Sequence, residues 1–180
     1  MSPEKVLVVY FSRTGRTKIL ARELSHKLGC AIEEVKTPKR YSGFLGYQFA
    51  LLQATFKVLP EITPIQSNLA NYDLIIMGGP VWGGSICSPL RTFIESYKNE
   101  FKNVAFMATQ SGTIGRNHVF EQMRIAAQRT PLATLDIVER DFKNGLYKNS
   151  ISSFIMKLSL INPKINKRRI AEPTTSEANY

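Results

Sequence analysis

The chain has 180 residues, 43% of them hydrophobic, which is enough to bury the core of one domain. Its 24 lysines and arginines outnumber 14 acidic residues, a formal charge of +10 that draws nucleic acid, anionic lipid or small anions. The two cysteines, Cys30 and Cys87, stand far apart without a CxxC or a histidine at metal-ligand spacing. That excludes a zinc site and predicts a reduced, cytoplasmic chain with no metal. The first residues offer only about seven apolar positions, too few for a signal peptide. No stretch approaches the roughly 18 apolar residues of a spanning helix.

Residues 6–11 (VLVVYF) form a continuous β-branched and aromatic run, the pattern of a strand buried on both faces of a parallel sheet. Leu20, Leu24 and Leu28 repeat every four residues beside Ile19, and Gly29 follows. This predicts a helix with one apolar stripe and a glycine stop. Residues 31–35 predict a short second strand. Between 40 and 60, Leu45, Phe49, Leu52, Phe56 and Leu59 recur at helical spacing, and the expected helix ends before Pro60. The segment 43–59 is very apolar, which leaves open a sheet-covering helix, a homodimer surface or a substrate lip.

Residues 73–77 (DLIIM) predict a third strand, running into the glycine-dense loop GGPVWGGS at 78–85. A helix is expected over 89–97 with Leu90, Phe93, Ile94 and Tyr97 inward. Residues 104–108 (VAFMA) predict a fourth strand, followed by the small polar loop TQSGTIG. A helix over 119–128 and a strand over 135–138 complete the pattern. In the last helix Tyr147, Ile151, Phe154, Ile155 and Leu158 share one side. Strands and helices thus alternate about five times, which predicts a doubly wound α/β fold. Residues 1–161 are expected to form a single domain, and 162–180 a flexible, basic polar tail.

In such sheets ligands bind beyond the carboxyl ends of the strands, where the polar loops 12–17, 78–87 and 109–116 are expected to gather. The first, within YFSRTGRT, precedes a helix whose N-terminus is a ready anion site. Ser12, Thr14 and Thr17 add hydroxyls, Gly15 lets the backbone close, and Arg13 and Arg16 add charge from the rim. The loop is neither a Walker motif nor GxGxxG, and it suits one terminal phosphate. A plain capping turn, with Ser12 or Thr14 as N-cap, fits the same residues. Trp82, the sole tryptophan, stands among Gly78, Gly79, Gly83 and Gly84 as a stacking plate for a flat heterocycle, or else folds back onto the core. Thr109, Gln110, Ser111 and Gly112 offer donors to ring carbonyls and nitrogens.

FSRTGRT, YDLIIMGGPVWGGS and ATQSGTIG, in that order and spacing, resemble the flavodoxin-like family that binds flavin mononucleotide (FMN), over residues 5–140. The resemblance implies a five-stranded parallel sheet of order 2-1-3-4-5 with helices on both faces. It implies that Ser12, Arg13, Thr14, Gly15, Arg16 and Thr17 wrap the FMN phosphate. Pro80, Val81, Trp82, Gly83 and Gly84 would flank the isoalloxazine on one side, and Thr109, Gln110, Ser111, Gly112 and Gly115 on the other. Two departures from electron-carrier flavodoxins stand out. The chain is strongly basic where carriers are acidic, and residues 109–116 hold no second aromatic to close the ring face. An open face suits hydride exchange with a nicotinamide or a quinone-like acceptor. The expectation is therefore an FMN-dependent oxidoreductase that reduces quinone-like or other small acceptors with NAD(P)H. Its rivals are a one-electron carrier that docks to a protein partner, and a menaquinone-linked protoporphyrinogen oxidase-like enzyme at the membrane surface, to which FIMKLSLI is faintly similar.

No side chain is required as an acid or base, since the flavin carries the chemistry. His118, at a helix start, is expected in solvent or over the open ring face. Cys87 is expected to be a small core residue, with redox sensing as the alternative. The basic excess crowds the end of the chain, in Lys143, Lys148, Lys157, Lys164, Lys167, Arg168 and Arg169. It reads either as a solvated tail or as a contact with anionic membrane. No recognition motif accompanies the charge, so nucleic acid is not an expected partner.

Overall fold

The computed structural model describes residues 5–38, 58–112 and 116–166. Five parallel strands form the sheet: β1 (Val6–Tyr10), β2 (Ala31–Glu34), β3 (Leu74–Trp82), β5 (Asn103–Gln110) and β6 (Thr134–Val138). Their order is β2-β1-β3-β5-β6, with the two-residue β4 (Ser85–Ile86) added antiparallel to β3. Apart from β4, this is the expected order 2-1-3-4-5. The register aligns Val6 with Leu74, Leu74 with Asn103 and Phe106 with Thr134.

Alternation along the strands divides the core in two. Leu7, Val9, Ile75, Met77, Val104 and Phe106 face one side. There they meet Leu90, Phe93 and Ile94 of helix α2 (Ser88–Tyr97) and Val119, Met123 and Ala127 of α3 (Arg116–Ala127). Val8, Tyr10, Leu74, Ile76, Ala105 and Met107 face the other. Against them pack Leu20 and Leu24 of α1 (Arg16–Leu28) and Ile151, Phe154 and Leu158 of α5 (Tyr147–Ile161). Each fully buried side chain of this size contributes about 1.5–3 kcal/mol, so helices on both faces follow from strands that are apolar on both faces. A short helix, α4 (Glu139–Lys143), links β6 to α5.

α1 ends where expected, with Gly29 left-handed at φ 59° and its N–H donating to the His26 carbonyl. Three sequence expectations change. β3 does not stop at Met77. It continues through the glycines to Trp82, because Gly78, Gly79 and Pro80 pair with Met107, Ala108 and Thr109 of β5. β5 likewise extends through Thr109 and Gln110, which were expected in a loop. The core also reaches past residue 161, since Ile165 is 6% exposed and packs beneath α5. The expected helix over 43–59 lies outside the described residues, except for exposed Val58 and Leu59, which stand outside any helix. Among the described residues no helix is long and apolar enough to cross a membrane.

Candidate functional site

The carboxyl ends of β1, β3 and β5 open into one cleft, and each of the three polar segments supplies part of its wall. After β1, Phe11 N–H still bonds to the Gly78 carbonyl at 3.0 Å, which fixes where the chain leaves the sheet. Ser12 Oγ then accepts the Gly15 N–H at 3.1 Å. Gly15, at φ 92°, is the N-cap of α1, in a left-handed conformation that other residues enter at a cost. Among the described residues no side chain caps the helix. The capping reading for Ser12 or Thr14 is therefore corrected: Ser12 closes the turn before the helix. The first-turn N–H groups of α1, which an α-helix cannot satisfy internally, stay available to an anion.

Arg13, Thr14, Arg16 and Thr17 line the cleft from this segment. Thr17 is 2% exposed, and its hydroxyl meets that of Thr109 at 2.7 Å, tying the start of α1 to the end of β5. Arg16 is also tied at the rim of the cleft. Its Nη1 and Nη2 donate to Glu139 Oε2 and Oε1 at 3.1 and 2.8 Å, and Lys143 Nζ joins Glu139 at 3.0 Å. These contacts hold the Glu139 carboxyl below its ordinary range, the Lys143 hydrogen bond first and the Arg16 charge after it. Arg16 is thus a tethered cation rather than a free one.

Pro80, Val81 and Trp82 form the second wall. Val81 pairs with Ile86 and Trp82 with Ser85, so Gly83 and Gly84 are the two central residues of a hairpin turn. Their φ angles of 56° and 74° are those of a type I′ turn, which glycine adopts freely. The stacking-plate expectation for Trp82 is corrected. The indole is 2% exposed and stands edge-on to Phe11, with centroids 5.7 Å apart and planes at 90°. Core burial takes this ring, which joins Phe11, Met77 and Ile86 in the cluster on one side of the sheet. Trp82 lines the cleft from within that core contact, beside Pro80 and Val81.

Thr109, Gln110 and Ser111 form the third wall. Gln110 Nε2 donates to both Asp136 oxygens at 2.8 and 2.9 Å, which aims the amide from β6. Gly112 is exposed, and Gly115 lies outside the described residues. Behind the cleft the strands leave no room for side chains at 78 and 79. A Cβ on Gly78 would fall closer than 3.0 Å to the Met107 carbonyl and Cγ, and one on Gly79 would lie 2.7 Å from Cys87 Sγ.

The profile of the Flavodoxin family matches residues 5–136, well over half of the chain. This chain belongs to the flavodoxin family. Family members bind FMN, and solved structures agree with the assignment. A Lactobacillus acidophilus flavoprotein in complex with FMN is 26% identical at a TM-score of 0.64, covering 80% of this chain and 98% of its own. The apo form of the flavoprotein from that organism is 25% identical at 0.59, covering 79% and 97%. A flavodoxin, WrbA-like protein from Agrobacterium tumefaciens matches at 0.58 over 94% and 99%, and at 12% identity it shows the fold alone.

The residues of this flavodoxin-family chain fit the mononucleotide. An uncapped helix start with hydroxyls beside it suits a phosphate, and strand ends with Pro80 and Val81 on one side and amide and hydroxyl donors on the other suit a polar ring. Sequence reasoning missed Asp136 and Glu139, which aim Gln110 and Arg16 from β6 and α4. No local pattern signals them, because each partner lies at least 26 residues away along the chain. Cys87 is buried, and burial pushes its thiol up to about 12. That makes it a core residue and not a redox sensor at neutral pH. His118 is exposed on α3.

Proposed function

We propose that the chain holds FMN in this cleft and acts as an oxidoreductase, passing electrons from NAD(P)H to a quinone-like or other small acceptor. The observation that carries the reading is the convergence in one cleft of the uncapped α1 start, the hydroxyls of Thr14 and Thr17, and the strand ends at 80–82 and 109–111. In it, Thr14, Thr17 and the α1 amides hold the phosphate, while Arg13 adds charge. Pro80, Val81 and the Gly83–Gly84 turn border the ring on one side, and Gln110 and Ser111 bond to its polar edge on the other. FMN, when bound, supplies the hydride chemistry. Among the described residues no histidine, cysteine, lysine or carboxylate lines the cleft, so the side chains bind and orient rather than move protons.

Two features favour an enzyme over a one-electron carrier. The net charge is +10, the opposite of the acidic surface that suits a basic redox partner. The third wall presents no aromatic side chain through Gly112, which leaves a face for a second substrate. The test is direct. Purified protein incubated with FMN and desalted is expected to be yellow. The colour should bleach anaerobically on adding NADH or NADPH and return with a quinone. Retention of colour without bleaching by either nicotinamide would favour the carrier, and failure to retain FMN would remove both readings.

A further inference from the structure

Gln122, in the middle of α3, is placed where a solvated polar residue is expected, yet it turns toward the cleft's hairpin. Its Oε1 accepts the Ile86 N–H at 3.2 Å and Arg91 Nη2 at 3.0 Å, and its Nε2 reaches Ser85 Oγ at 3.4 Å. Ser85 and Ile86 are the whole of β4. Among the described residues β4 in turn pairs only with Val81 and Trp82, across the Gly83–Gly84 turn.

A ribbon of two residue pairs is not stable alone, and a Gly-Gly turn is the most permissive link available. The Ile86 N–H points away from β3, because the pair Val81–Ile86 lies outside the hydrogen-bonded pair Trp82–Ser85 that closes a two-residue turn. Without Gln122 that edge would have no protein acceptor among the described residues. Arg91 makes the arrangement directional. It is only 8% exposed, and it stands on α2 facing the same carbonyl oxygen. A flipped amide would set the Gln122 NH₂ against two donors, the guanidinium and the Ile86 N–H, so the cation permits only one orientation. Arg91 Nε finds no partner among the described residues. Burying a guanidinium with so few bonds is costly, which is consistent with a role beyond stability.

We propose that Gln122 is a positioning residue for FMN, oriented by Arg91, which fixes β4 and through it its partners Val81 and Trp82 in the cleft wall. The proposal rests on the reading of the cleft as the FMN site. Freedom on this wall is then confined to two glycines, held between β3 on one side and the Gln122 bond on the other. A wall so held should discriminate between oxidised and reduced FMN, because a floppy one adapts equally to both.

The experiment compares wild type with Gln122→Leu, which removes donor and acceptor, and Gln122→Glu, which keeps the acceptor beside Arg91. The measurements are FMN dissociation constants by fluorescence quenching, for oxidised and for reduced cofactor. Gln122→Leu is expected to lose at least tenfold in affinity and to change the oxidised-to-reduced affinity ratio, with far-ultraviolet circular dichroism unchanged. Gln122→Glu is expected to stay within threefold of wild type in both. A folded Gln122→Leu variant with wild-type affinities and ratio overturns the proposal while FMN binding by wild type stands. Wild type that binds no FMN overturns the cleft reading instead. Amide exchange in the FMN-free wild-type protein needs no variant at all. The Ile86 amide is expected to be protected well beyond those of Gly83 and Gly84, and equal rates would overturn the clamp.

Discussion

The hydroxyls of Thr17 and Thr109, 2.7 Å apart and buried, join the start of α1 directly to the end of β5. Removing one partner leaves the other buried without a hydrogen bond, which costs about 1–3 kcal/mol, whereas removing both with isosteric apolar groups is nearly neutral. Thr17→Val and Thr109→Val are each expected to lower the unfolding free energy of the FMN-free protein by that amount in urea titration, and the double variant to recover most of the loss. Equal destabilisation by the double variant would show that the hydroxyls are satisfied elsewhere. A second pair is steric. An alanine at 79 would press its Cβ onto Cys87 Sγ at 2.7 Å, and overpacking of this kind costs about 1–3 kcal/mol. Gly79→Ala should therefore lower the melting temperature, and Cys87→Ala in the same chain should restore part of it by vacating the sulfur's volume. Additive effects of the two substitutions would exclude the contact as the cause.

Among the elements, α1 and α4 are joined at the rim by Arg16, Glu139 and Lys143. The Glu139 carboxyl titrates below its ordinary range in the folded chain, with the Lys143 hydrogen bond as the largest cause. A carboxyl depressed on folding stabilises the fold above its unfolded pKa, and the contribution fades as the pH falls through the folded value. Glu139→Gln is therefore expected to melt slightly below wild type at neutral pH, and the two melting curves should converge once the pH drops below the carboxylate range. A gap that persists in acid would assign the effect to packing. The elements also show what the sequence made legible. Buried parallel strands announce themselves as unbroken apolar runs, so β1, β3 and β5 could be read from VLVVYF, DLIIM and VAFMA, and α1 from its leucine spacing and Gly29. The ends of β3 and β5 could not. Glycine and proline read locally as loop, yet Gly78–Pro80 stay in the sheet because neighbouring strands pair with them and leave no room for side chains. The double glycine at 83–84 carried its hairpin signal, but β4 is two residues long and has no pattern of its own. Trp82 was not legible either, since alternation from Leu74 and Ile76 points residue 82 to the face opposite the core cluster it joins. Gln122 and Arg91 were invisible, because nothing in a helical sequence says which polar side chain will turn inward to meet a strand 36 residues back.

At the scale of the whole molecule the dominant quantity is charge. The excess of ten positive charges is uneven: from 142 to 171 the chain has lysines and arginines and no acidic residue. Among the described residues the cleft is lined by Arg13 and Arg16 and by no carboxylate, and at its rim Glu139 answers only one of the two cations beside it. An anionic donor therefore approaches a site whose local field has the same sign as the field of the whole surface. Fields of this kind raise association rates by about tenfold or more at low ionic strength, and salt screens them over a Debye length of about 8–10 Å. The second-order rate of FMN-loaded protein with NADPH, measured by stopped flow below saturation, is expected to fall by about tenfold as salt rises to 0.15 M on this principle. The fall should be smaller for NADH, which lacks one phosphate, and absent for reoxidation by an uncharged quinone. Lys143→Ala should lower the NADPH rate at low salt, and its curve should meet that of wild type once the field is screened. A salt-independent NADPH rate would mean that the basic surface serves another partner and leaves the encounter with the nicotinamide to chance collision.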